Sequence, residues 1–406
     1  MQSDRWDQST SVGATTDRLE IVGDRSGARR ARRRGRRRRT GVLILAVVLL
    51  LGAVVGGGYY VYRSVFAAPD FEGSGEGAVV VQVQDGDTTT RIANELAQQG
   101  VVASAAAFTE AASDDPRVRS LQPGYYQMKL RMSGASAVTL MLDPAARVGQ
   151  LEIRGGVQLD DTRAPDGTVT PGVLSLISQA TCTTVDGAKK CVSVDRLRST
   201  MATTDPATLG VPEWALDAVG KADPKRRLEG LLVPGRYDVD PGTSALAVLQ
   251  SLLATSSARL EAAGLVSGAQ SIGTSPYQVL VISSLVEKEG ITPDMPKVAR
   301  VIYNRLGAGQ RLELDSTVNY PLDLQALRTS SANRATPGAY NSYLTPGLPP
   351  TPIAAPGSQA IAAALSPAAG PWFYFVRCQK DGTSCFATTL AEHQANVAEA
   401  EKNGAI

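Results

Sequence analysis

Ser284-Leu-Val-Glu-Lys-Glu-Gly290 is the stretch that decides how this 406-residue chain is read. It follows Tyr277-Gln-Val-Leu-Val-Ile-Ser283, and the whole run predicts one helix. Val279, Ile282, Ser283 and Val286 recur at i, i+3, i+4 and i+7, which marks one buried face. Glu287 falls at the edge of that face, three residues after Ser284. Glu289 falls about 160° further round, at about 100° per residue. The two glutamates therefore cannot flank one small substrate, and any chemistry on this helix uses a single carboxylate. Glu289 reads as solvated or paired with a basic neighbour.

Charge is unevenly laid out behind a net value of +2. Nine of the eleven residues from Arg29 to Arg39 are arginine, and residues 41–62 carry no charge at all. That run matches the ~20 residues needed to cross a ~30 Å hydrocarbon layer. Tyr59, Tyr60 and Tyr62 suit an interfacial belt at one end, and the arginine block at the other is expected to stay cytoplasmic. The run is longer than the h-region of a cleaved signal peptide. The expected topology is a disordered cytoplasmic tail (1–40), a single membrane-spanning helix (41–62), a linker (63–78), and the remainder outside the plasma membrane. Aromatic residues make up 5% of the chain, too few for a base-stacking nucleic-acid platform. A single histidine, His393, excludes a histidine-rich metal site and reads as a packing residue. No metal or cofactor is expected.

Four cysteines fit an extracytoplasmic location. Cys182 and Cys191 bracket one Asp-Gly turn signal, and Cys378 and Cys385 bracket another. Of the three possible connectivities, 182–191 with 378–385 clips each hairpin upon itself. A four-cysteine zinc site is the alternative, with spacings unlike zinc knuckles.

In chain order, Val79 to Val83 predicts a strand, residues 88–99 a helix, and Ser104 caps a second helix. This strand–helix–helix, with its Val83-Gln-Asp-Gly-Asp-Thr88, resembles a LysM module, which implies binding of N-acetylglucosamine chains; a plain spacer is the other reading. The module is placed at 79–145. Residues 146–272 form a connecting part with insertions, and residues 273–406 a larger domain. The fold class is α+β. Asn341-Ser-Tyr-Leu-Thr-Pro-Gly-Leu-Pro-Pro-Thr-Pro-Ile353 cannot be ordinary helix or central strand. It predicts a rigid, exposed loop suited to the wall of a groove.

Several ordered pieces carry a wider resemblance. They are Glu229-Gly-x-Leu-x-Pro234 with Tyr237, Ser284-Leu-Val-Glu-Lys-Glu289, Val301-Ile-Tyr-Asn-Arg-Leu306, Leu312-Glu-Leu-Asp-Ser-Thr-Val318, Tyr340-Asn-Ser-Tyr343 with Gly347-Leu-Pro-Pro350 and Pro352-Ile353, Pro356-Gly357, and Tyr374-Phe-Val376. Together they resemble the endolytic murein transglycosylases, membrane-bound lytic enzymes of the cell envelope. The resemblance implies cleavage of the MurNAc-β-1,4-GlcNAc bond inside nascent peptidoglycan strands, leaving 1,6-anhydroMurNAc ends, next to peptidoglycan synthases. It implies Glu287 as the catalyst.

The chemistry suits one carboxyl group. Ordinary glycoside hydrolysis needs two carboxylates. Here the muramoyl C6 hydroxyl can act as the internal nucleophile, so one group can protonate the leaving oxygen and then take the hydroxyl proton. Ser284, Asn304, Arg305, Asp315 and Asn341 are the candidate substrate-binding residues. Each also has a structural reading: a helix-turn bond for Ser284, an ion pair for Arg305, an N-cap for Asp315, a turn for Asn341. Glu229 reads as structural. Two rivals stand beside the lyase. A hydrolytic muramidase would need Asp315 as its second carboxylate. A non-catalytic wall-binding scaffold would use only the LysM-like module.

Overall fold

The computed structural model describes residues 43–59, 68–185, 188–322 and 329–406. The arginine block, residues 63–67 of the linker and the Asp-Gly turn of the first cysteine pair lie outside these residues. The chain divides into residues 1–68 and 69–406. In the first unit, residues 43–59 are helical and their large apolar side chains are exposed. Among the described residues no helix is long and apolar enough to cross a membrane. Residues 41–42 and 60–62 of the expected crossing helix lie outside the described residues.

In the second unit, β1 (Ser74–Val83), α1 (Thr89–Gln98), α2 (Ala105–Ser113), β2 (Gly124–Met132), α3 (Gly134–Met141) and β3 (Arg147–Val148) surround one core. The sheet is antiparallel, in the order β1-β2-β3. Thr88 and Ser104 cap α1 and α2 by accepting from Arg91 N and Ala107 N. Phe108, Leu96 and Met128 fill the centre. β1 begins earlier than the expected linker allows, because Gly75 and Gly77 adopt φ of 76° and 64° at a bulge in the ladder. A Cβ at Gly75 would stand 2.5 Å from Met132 Cγ. The glycines that read as linker are what let the strand bend and continue.

The larger core follows. β4 (Gln150–Ile153) precedes two small hairpins, β5–β6 (Thr162–Arg163, Val169–Thr170) and β7–β8 (Thr183–Val185, Ala188–Lys190). α4 (Val173–Ala180), α5 (Val194–Thr203), α6 (Pro206–Leu209) and α7 (Glu213–Lys221) intervene before β9 (Gly235–Asp238), which pairs antiparallel with β4. Then come α8 (Ala245–Ala262), α9 (Leu265–Ser271), α10 (Pro276–Glu289), α11 (Met295–Gly307), α12 (Asp315–Asn319), α13 (Ser331–Ala335) and α14 (Ser358–Leu365). The hairpin β10–β11 (Tyr374–Arg377, Ser384–Ala387) and α15 (Leu390–Asn403) close the chain. The fold is mixed α+β. Both disulfides pair within their hairpins, Cys182–Cys191 and Cys378–Cys385.

α10 is the axis of this core. Ser275 and Gln278 form a reciprocal capping box, with Pro276 at the first helical position. The sequence pattern marks one buried face, yet every residue from Val279 to Val286 is buried. The reason is tertiary: α7, α9, α11, α12 and α14 pack around the helix, and a helix apolar on all sides belongs inside. Gly290 ends it, close enough to α11 that a Cβ there would meet Val298 Cγ2 at 3.1 Å.

The proline-rich segment meets the expected exposure only in part: Leu344 to Pro346 and Pro350 are exposed, and its end turns inward. Thr351 to Pro356 are buried. Proline removes donors, and the remaining polar groups are bonded inward. Ile353 N donates to Ser284 Oγ (3.0 Å), and Ala355 exchanges bonds with Gly156 and Val157. Gly230, at φ 76°, lets Pro352 close in: a Cβ would stand 2.4 Å from the proline's own.

Glu229 ties this assembly together, and its structural reading agrees with what surrounds it. It is 2% exposed and accepts from Leu159 N and from Tyr320 Oη (2.9 Å). Burial raises its pKa to about 7, against the lowering effect of those bonds. A carboxyl with a raised folded pKa is stabilising while protonated and loses that advantage as pH climbs from about 4.5 to about 7. Urea unfolding should show stability falling by on the order of 3 kcal/mol over that interval. Glu229→Gln should flatten the dependence; an unchanged slope in the variant would locate the titration elsewhere.

Candidate active site

A cavity of about 640 Å³ opens where α10 ends. The end of α10, Arg305 of α11, the segment Leu312–Ser316, β10 and α15 form its walls. A hollow of about 790 Å³ beside α5 is larger but carries no carboxylate, so it offers no acid–base chemistry.

Glu289, not Glu287, faces the cavity. Its carboxylate accepts a very short hydrogen bond from Ser316 Oγ. Burial raises its pKa, the serine opposes that, and the neighbouring Asp315 charge raises it further. Asp315 is the opposite case. Burial would raise its pKa, but Thr329 Oγ1 (2.6 Å), the Arg334 fork (3.1 and 2.9 Å) and Tyr343 Oη (2.8 Å) win and hold it below the usual carboxylate range. One wall thus presents a carboxyl biased toward protonation and another biased toward ionisation, the pattern that separates acid from anion in glycosidase sites. Lys288 lies between the two glutamates, its ammonium 3.4 Å from Gly156 O, and burial lowers its pKa.

Arg305 fixes the opposite wall. Nε donates to Phe373 O (2.6 Å), and Nη1 reaches Arg311 O, Leu312 O and Glu313 (3.0, 3.0 and 3.1 Å). Its guanidinium lies over the Tyr374 ring, which stacks on His393 at 5.3 Å. Burial and Arg305 both lower the histidine's pKa. Glu313 sits at φ 52°, rare for a residue with a side chain, at the cavity lip.

Residues 81–399, most of the chain, match the YceG-like family. The chain belongs to the YceG-like family. A YceG-like protein of Listeria monocytogenes has a similar fold, with a TM-score of 0.51 and 25% identity over 78% of this chain and 98% of that one. An endolytic murein transglycosylase of Bacillus subtilis is 31% identical over 184 residues, 45% of this chain and 50% of its own. One of Streptococcus pneumoniae is 30% identical over 179 residues, 43% of this chain and 32% of its own. The match thus spans half or less of either relative.

In this YceG-like protein the residues expected to act together separate into two groups. Asp315 and Arg305 line the cavity. Glu287 turns away: its Oε2 accepts from Gly357 N (2.9 Å), and it packs on Gly155 so closely that a Cβ there would stand 2.3 Å from Oε1. Ser284 does not orient it, being fully buried and bonded to Val281 O and Ile353 N. Asn304 donates to Gly370 O and Trp372 O (3.1 and 2.8 Å). Asn341 is 4% exposed and donates to Arg334 O and Thr336 O (2.9 and 2.8 Å). Both amide nitrogens shape backbone, and the Asn341 oxygen is taken as well, by Tyr343 N (2.9 Å). His393 is not a mere packing residue but a lining one, its Nδ1 without a hydrogen bond among the described residues. Asp315 sits in the first turn of α12 rather than at its cap. Ser316 and Tyr343, unremarked as sites, lay within the ordered motifs; Arg334 lay in none.

Arg305 is expected to behave as scaffold. Arg305→Lys keeps the charge and loses the fork, so unfolding free energy should fall by about 1–3 kcal/mol. Denaturant titration checks this; an unchanged midpoint would return Arg305 to a purely ligand-facing role.

Proposed function

We propose that the protein is an endolytic peptidoglycan lytic transglycosylase in which Glu289, rather than Glu287, is the acid–base group. One observation carries this reading: a desolvated Glu289 carboxyl at the wall of a cavity, beside an Asp315 kept ionised. The names of the relatives support the substrate class.

The reaction is a proton relay through one carboxyl. Protonated Glu289 gives its proton to the glycosidic oxygen as the bond to muramoyl C1 breaks. Positive charge develops at C1, where the fixed Asp315 carboxylate opposes it electrostatically. The muramoyl C6 hydroxyl closes onto C1 and returns its proton to the Glu289 carboxylate. No water is consumed, and the products are a free GlcNAc end and a 1,6-anhydroMurNAc end. The occupancy of Asp315 by Thr329, Arg334 and Tyr343 favours this over hydrolysis, because a water-activating base needs a free lone pair.

In the same reading residues 273–406 are the catalytic domain, 146–272 its connecting part, and 79–145 a LysM-like module that holds glycan. The apolar stretch 41–62 attaches the protein to the plasma membrane, arginine block inward; the exposed apolar side chains of residues 43–59 support this. Nascent strands would bring it beside the peptidoglycan synthases.

Mass spectrometry of glycan strands treated with the full-length protein tests the assignment. Wild type should produce anhydro ends. Glu289→Gln should lose about 10²–10⁴-fold in rate, while Glu287→Gln keeps most of it; the reverse outcome returns catalysis to Glu287, and reducing ends in place of anhydro ends mean hydrolysis. The pH profile adds a sign. Activity falls as pH rises through the raised Glu289 pKa, so Asp315→Asn should move that limb to lower pH and Ser316→Ala to higher pH.

A further inference from the structure

Four cations line the cavity, and three are occupied. Arg305 pairs with Glu313, Arg334 with Asp315, and Lys288 reaches Gly156 O. Arg377, the last residue of β10, is exposed and has no hydrogen bond or ion pair among the described residues. Its backbone is nevertheless held firmly. It pairs with Ser384 across the hairpin, and its neighbour Cys378 is bonded to Cys385. Asn403 Nδ2 donates to Cys378 O (2.9 Å), pinning α15 to the same point. Around Arg377, Val376, Leu390 and Val397 give the cavity an apolar lining, and neither β10 nor α15 adds an acidic side chain to it.

The cavity therefore has two ends of different chemistry. The α10–α12 end offers carboxyl and hydroxyl groups. The β10–α15 end offers the aliphatic Val376, Leu390 and Val397, the rings of Tyr374, Phe375 and His393, and one unengaged guanidinium. A glycan backbone of hydroxyls and N-acetyl groups gives an arginine no anion to meet. The anions of the polymer are the carboxylates of the peptide carried on the muramoyl lactyl group, and those peptides also bear methyl and methylene groups.

We propose that the β10–α15 end of the cavity takes the muramoyl stem peptide, with Arg377 receiving one of its carboxylates. This rests on the proposed peptidoglycan substrate. A planar guanidinium fits a carboxylate with two parallel hydrogen bonds, and the clipped hairpin supplies the fixed base from which it reaches. The aliphatic wall accommodates the alkyl parts of the peptide. Arg377 then sets which strands are preferred and takes no part in bond cleavage.

The test compares two substrates with the full-length protein in detergent: uncross-linked strands bearing tetrapeptide stems, and the same strands stripped by an amidase. The readout is the ratio of kcat/KM on the two. Arg377→Ala should lower that ratio about tenfold, through KM, the effect of one charge-assisted hydrogen bond at a partly exposed site, and Arg377→Lys should restore part of it. A ratio unchanged in Arg377→Ala overturns the proposal, as does equal loss on both substrates. Calorimetry with a soluble muramoyl tetrapeptide separates this from the lyase reading. Tighter binding by wild type than by Arg377→Ala, with no anhydro ends from either strand, would overturn the lyase chemistry and leave the peptide site standing.

Discussion

The helix Pro276–Glu289 is buried on every side from Val279 to Val286, and then presents Glu287, Lys288 and Glu289 as it leaves the core. Everything chemical about the molecule follows from that emergence. The helix cannot slide or rotate, because its capping box fixes one end and five neighbouring helices enclose the middle. Three successive charged side chains must therefore leave in three fixed directions. One meets the Gly155 and Gly357 backbone, one reaches Gly156, and one enters the cavity beside Ser316. The fate of each charge is set by what the rest of the chain brings to that direction.

Hydrogen bonding between side chain and backbone does most of the positioning. Arg305 joins Phe373, just before β10, to the segment before α12. Asn304 and Asn341 do the same for residues 370–372 and for the turn after α13. Ser342 holds Leu314 N and Thr317, so the α12 segment is fastened to the proline-rich run. These contacts stiffen the lining without occupying the cavity. They also explain why so many polar residues crowd into motifs around a site that so few of them touch: a carboxyl can be kept dry only if its neighbours' polar groups are satisfied by one another.

Much of this arrangement was legible in the sequence. The cap at Ser104, the strand at Val79–Val83, the α+β class and the hairpin cysteines follow from local chemistry: a hydroxyl before a helix, alternation, and a turn dipeptide between two thiols. Other features were not legible for stated reasons. The bulged start of β1 is spelled in glycines that read as linker. Thr351–Ile353 reads as exposed because prolines break elements, although here it is buried. Arg334 belongs to no recognisable pattern and acquires its role only when α13 is folded over Asp315.

The sequence alone determined that a single buried helix would end in two glutamates facing different ways, since about 100° per residue allows nothing else. It also determined the order of the motifs and hence the family. Only the tertiary structure decided which glutamate meets a cavity. Helical periodicity gives the angle between two side chains, but the surroundings at each angle come from segments distant in sequence, here residues 155 and 357 on one side and 315–316 on the other.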